Sequence, residues 1–184
     1  MIAGERNLPE SRISEANAVI GECALRTGNY ALAEEAFRNM VELSPDAFPI
    51  NQLATTLKKQ GKSAEATELS RQVVARFADS KQPEERFEAV RALLALSEAP
   101  ESKERSRAFG ILETLLADHP DNPEYRFQYA QLLAGNPRLF RKERIPGVEP
   151  NAVVLLLRLA DACPEQPEYG LALVELMLRR LRYA

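Results

Sequence analysis

Two small residues recur at a fixed distance early in the chain: Gly28 returns as Gly61 and Ala33 as Ala66, each thirty-three positions later. Both glycines follow a helix-length amphipathic stretch. A period of this length marks stacked helical hairpins, since one hairpin cannot bury its own apolar face and relies on its neighbours to cover it. The expected function is therefore the holding of partners on an extended surface, and the ligand is not specified.

In the first unit the spacing predicts a helix from about Pro9 to Thr27, with Ile13, Ala16, Ile20, Ala24 and Thr27 on one face. Gly28 supplies a helix-ending positive φ and Asn29 the turn. A second helix from Tyr30 to Leu43 carries Leu32, Ala33, Ala36, Phe37, Met40 and Val41 as its apolar stripe, and Ser44-Pro45-Asp46 stops it. Ile20-Gly21, Ala24, Gly28, Tyr30, Ala33, Phe37 and Pro45 stand at the spacings of the tetratricopeptide repeat, which this segment resembles. Asn17 stands where that family usually has an early aromatic. Small residues at Gly21 and Ala33 would let the two helices cross closely, with Phe37 and Tyr30 filling the space beside them.

The resemblance extends over nearly the whole chain and implies an all-α, right-handed α-solenoid of about four helix-turn-helix repeats plus a C-terminal closing helix. The units fall at about 9–45, 47–79, 83–120 and 123–164, followed by a closing helix at 167–183. In the second unit Ile50, Leu53, Ala54 and Leu57 face Ala66, Leu69, Val73, Val74 and Phe77 across Gly61, and Ser70 replaces the aromatic. The third unit carries Phe87, Val90, Leu93 and Leu94, then a helix capped near Ser102 with Ala108, Leu112, Leu115 and Leu116. A second echo pairs Pro123-Glu124-Tyr125 with Pro167-Glu168-Tyr169, farther apart than one repeat, so the fourth unit holds a loop insertion near 135–149.

Composition narrows the function. With 45% hydrophobic and 28% charged residues the chain is that of a folded protein, and a net charge of −3 gives no general attraction to nucleic acid or anionic lipid. The longest apolar runs fall short of the roughly 20 residues that cross a bilayer, and the N-terminus lacks the pattern of a signal peptide. A cytoplasmic protein is expected. Cys23 and Cys163 are far apart and are expected to be reduced structural thiols. The single histidine, His119, lies in a polar turn. Glu34-Glu35 and Glu84-Glu85 suit the first turns of helices, where acids complement the macrodipole. No nucleophile elbow, metal-ligand spacing or phosphate loop is present, so neither an enzyme nor a cofactor or metal is expected.

Two sets of residues are candidates for partner binding. The resemblance implies that the first helix of each unit lines a concave face, which places Glu22, Leu25 and Arg26 inward in the first unit and Asn51, Thr55, Lys58 and Lys59 in the second. Family members that bind chaperone C-termini use an inward Lys and Asn clamp. Ala18 and Glu22 hold the matching positions here and do not support that activity. The insertion carries Arg138, Phe140, Arg141, Lys142 and Arg144, readable as a basic, aromatic-bearing arm for an acidic partner or as a solvated loop. The expected function is a non-catalytic scaffold that binds a protein or peptide segment on its concave face. The alternative is a structural or oligomerisation module of a larger regulatory protein. The last helix, with Tyr169, Leu173, Leu176, Met177 and Leu181, would then be its interface for a homo-oligomer.

Overall fold

Pro9 has no backbone N–H to donate and stands just ahead of the first helical turn, where none is needed; α1 follows over Glu10–Thr27. The computed structural model describes residues 9–135 and 151–182. Gly28 ends α1 at φ 76°, a left-handed backbone that side chains disfavour, and the Asn29 N–H donates back to the Ala24 carbonyl at 2.8 Å. One period later the same turn is rebuilt. Gly61 has φ 81°, and the Lys62 N–H donates to the Leu57 carbonyl at 2.9 Å. The recurrence of glycine is thus the recurrence of one helix-ending geometry.

The Asn29 side chain accepts from the Leu32 N–H and so caps α2 (Tyr30–Leu43). The helices α3 (Ala47–Lys59), α4 (Ser63–Phe77), α5 (Pro83–Leu96), α6 (Lys103–Asp118), α7 (Pro123–Gly135), α8 (Ala152–Ala162) and α9 (Pro167–Arg182) complete the order. No strand occurs among the described residues. Packing groups the chain into two compact units, Met1–Leu96 and Ser97–Ala184. The division falls between α5 and α6, which the sequence assigned to one repeat.

In the first unit α2 packs on α1 and α3, α4 packs on α3 and α5, and α3 also meets α5. Ala24, Ala33, Phe37, Met40, Leu53, Leu57 and Ala66 form a shared core drawn from four helices. At Gly21 an added Cβ would lie 2.6 Å from the Phe37 ring. Phe37 therefore makes the nearest approach to Gly21. Ala33 is fully buried in the same core. This contact also rotates α1 away from the expected face: Ile13, Ala16 and Ile20 are exposed, while Gly21 and Ala24 are buried and Asn17 and Ala18 half-buried. The small side of α1 faces inward because it admits the Phe37 ring, at the expense of a larger apolar stripe.

Glu34 lies in the second turn of α2, and no acid stands in the first, so the dipole role expected for it does not apply. Its carboxylate instead accepts from Lys62 at 2.8 Å, from Arg38 at 2.8 Å and from the Gln60 amide at 2.8 Å. Gln60 also donates to the Tyr30 carbonyl, and Arg38 continues to Glu65 at 2.7 Å. Through these bonds the start of α2 is tied to the turn between α3 and α4. The hydrogen bond from Lys62, opposed by desolvation and reinforced by Arg38 and Gln60, holds the Glu34 carboxyl down to about 2.

In the second unit α7 packs on α6 and α8, and α9 packs on α8 and α7. Ser102 caps α6 by accepting from the Arg105 N–H, and Asn151 caps α8 by accepting from the Val153 N–H. Aromatic pairs hold its core: Phe109 stacks on Tyr129 with centroids 5.1 Å apart, and Phe127 lies 4.8 Å from the fully enclosed Tyr169. Burial, with Glu113 adding to it, pushes the Tyr129 hydroxyl up to about 12. No helix among the described residues is long and apolar enough to cross a membrane.

Candidate binding site

The C-terminal half of α3 carries Thr55, Lys58 and Lys59, all exposed. These three line one cleft of about 260 Å³. Its floor is the buried Ala54, Ala66 and Ser70, and Ala95 near the end of α5 with Ser63 and Thr67 of α4 complete the lining. The Lys58 ammonium donates to the Ala95 carbonyl at 3.3 Å, placing a cation at the negative end of the α5 dipole. None of the lining residues is acidic.

The hydroxyls divide by what they can still do. Thr55 Oγ1 donates to the Asn51 carbonyl at 3.0 Å and Ser70 Oγ to the Ala66 carbonyl at 3.0 Å, so their protons are committed to the helices. Donors offered to a ligand are then the two ammonium groups and the hydroxyls of Ser63 and Thr67. The cleft combines an apolar floor with a positive rim.

The other inward candidates are not among its lining residues. Glu22 and Arg26 are exposed on α1. Asn51 differs from expectation: it is only 6% exposed, and its amide donates to the Glu88 carboxylate at 2.7 Å and the Glu88 carbonyl at 3.2 Å. That amide joins α3 to α5 and is not presented to a ligand. Arg138, Phe140, Arg141, Lys142 and Arg144 lie outside the described residues. Cys23 is exposed, where a packed thiol was expected, and both cysteines are free. His119 caps the end of α6, exposed, with its ring edge-on to Tyr125. Among the described residues no cluster of three His, Cys, Asp or Glu is placed to hold a metal.

The cleft itself was missed from sequence, although its signal is present. Ala54, Ala66 and Ser70 stand one period after Gly21, Ala33 and Phe37. In the first hairpin the Phe37 ring fills the space over Gly21. In the second, serine stands at that position and the corresponding residues line a cleft.

Helical hairpins joined by left-handed glycine turns and sharing a core across neighbours define an all-α helical-repeat protein. The tetratricopeptide-repeat family model matches residues 5–48, which take in the first hairpin, and the chain resembles that family. In fold it is similar to a mutant of the O-GlcNAc transferase of Thermobaculum terrenum, with a TM-score of 0.51 and 18% identity over 85% of this chain. It spans 27% of that transferase's length. A MamA RS-1 ArsTM double mutant is similar with a TM-score of 0.48 and 17% identity, over 91% of this chain and 85% of that one. PilF of Pseudomonas aeruginosa gives 0.36 and 23%, over 91% and 93%. No curated protein matches the chain.

Proposed function

We propose that the chain is a non-catalytic scaffold that holds a protein or peptide segment against the first helices of its repeats. The observation that carries this reading is the set Thr55, Lys58 and Lys59, exposed on successive turns of α3 around a cleft that the core does not fill. A folded protein leaves such a concave, partly apolar and basic surface where a ligand is to be held. Glu22 and Arg26 extend the candidate surface along α1. The basic residues Arg138, Arg141, Lys142 and Arg144, with Phe140, belong to the reading as a sequence-based expectation only. The test is selection of peptides from a random library on the immobilised chain. Enrichment of acidic peptides is expected, with capture weakened both by salt and by the change of Arg26, Lys58 and Lys59 to Ser. A library that yields no peptide above background would overturn the scaffold reading.

A second reading is favoured by one observation on α9. Leu171, Val174, Leu178 and Leu181 are exposed and recur at steps of three and four, a single apolar stripe beside the buried side of the helix at Tyr169 and Leu176. A helix that is apolar on two sides suits an element covered on both. A second copy of the chain would provide that cover, and self-association would make the protein an oligomerising module.

A further inference from the structure

The comparison of the two hairpins carries the scaffold reading further, to the chemistry of what is held. Gly21 and Phe37 in the first correspond to Ala54 and Ser70 in the second, each one period on. Phe37 is fully buried and its ring occupies the space over Gly21. Ser70 is just as deeply placed, at 3% exposed, yet ends at its Oγ, and the cleft opens there. Its volume of about 260 Å³ exceeds the roughly 150 Å³ of an apolar cavity known to admit benzene. The floor is therefore of the size and apolar character for an aromatic ring, with Ala54 and Ala66 beneath it. Above that floor stand Lys58 and Lys59, with no acid among the lining residues.

We infer that this cleft seats an aromatic side chain of a bound peptide, which takes the place that Phe37 fills in the first hairpin, while a carboxylate of the same peptide lies on Lys58 and Lys59. The inference rests on the scaffold reading. The ring supplies apolar burial and the carboxylate a charge-assisted hydrogen bond at the rim, so a peptide needs both groups next to each other.

The experiment is a titration followed by backbone amide NMR, with three probes. N-acetyl-L-phenylalanine carries ring and carboxylate, its primary amide the ring alone, and N-acetyl-L-alanine the carboxylate alone. The first is expected to bind at millimolar concentration and to shift Thr55, Ala66 and Ser70; the second to bind at least threefold more weakly; the third to leave those residues unmoved. The double variant Ala54→Gly with Ser70→Phe rebuilds the first hairpin's own packing and is expected to abolish binding. Should that variant fail to fold, Lys58→Gln with Lys59→Gln provides the second arm and is expected to reduce the phenylalanine probe to the affinity of its amide. Equal binding of the alanine probe, shifts centred elsewhere, or binding of the phenylalanine probe that is undiminished in whichever of these variants folds would overturn the inference. Library peptides captured in a manner dependent on Arg26, Lys58 and Lys59, together with no probe binding at Ser70, would overturn the seat and leave the scaffold standing.

Discussion

At the scale of single residues, the absence of one carbon atom sets the geometry of the first hairpin. A Cβ on Gly21 would stand 2.6 Å from Cζ of Phe37, closer than side chains approach, and Phe37 has no room to retreat because it is fully buried among Ala24, Ala33 and Met40. Overpacking of this kind costs about 1–3 kcal/mol, more than alanine gains over glycine in a helix, about 1 kcal/mol. Gly21→Ala is therefore expected to lower the midpoint of chemical denaturation, and Phe37→Leu added to it to cost less than the sum of the two single changes. Strict additivity would show that the two residues do not meet. The same reasoning explains why Ile13 and Ile20, which the apolar spacing placed inward, are exposed. Periodicity finds a helix and its candidate stripes, but the choice between an isoleucine stripe and a small-residue stripe is made by the ring that has to fit against it.

At the scale of elements, the Glu34 network links the start of α2 to the turn between α3 and α4. Lys62 and Gln60 come from that turn, and Arg38 from α2 itself. The residues were visible in sequence only as an acidic pair and scattered bases, because nothing in a linear chain states that a side chain near position 34 meets one near position 62. Glu34 has a folded-state pKa of about 2 against an ordinary 4.5. Its contribution is accordingly complete above about pH 4.5 and is lost as the pH falls from there towards 2. Glu34→Gln is expected to cost about 1 kcal/mol at pH 7, since the partners are half in water. The stability difference between the two proteins should shrink as acid is added. A difference that stays constant from pH 7 to pH 2.5 would show that the carboxylate charge carries none of the tie.

At the scale of the whole molecule, the exposed stripe on α9 is a feature that packing among the described residues does not cover. Leu181 is 75% and Leu171 64% exposed, and Val174 and Leu178 lie between them. Each leucine, already partly covered, would contribute about 1–2 kcal/mol when a second copy buries the remainder. Light scattering over a concentration series is expected to show self-association, and Leu171, Val174, Leu178 and Leu181 changed together to Gln to abolish it without shifting the far-ultraviolet circular dichroism. A wild-type chain that scatters as a monomer at every concentration would dismiss the oligomerising module.

What the sequence determined by itself was local: the helices, whose apolar residues recur at three and four, and the two glycine turns, whose positive φ only glycine adopts cheaply. These follow from contacts between residues close in the chain, so period and composition reveal them. The grouping of Thr55, Lys58 and Lys59 with Asn51 on α3 came only from what the family resemblance implied, and the structure buries Asn51. Tertiary structure decided the rest. It turned α1 to offer Gly21 to Phe37, spent the Asn51 amide on Glu88, and left a cleft where Ser70 replaces a ring. Each of these depends on which side chain arrives from another helix and how much space it fills, and that is a property of pairs of residues far apart in the chain.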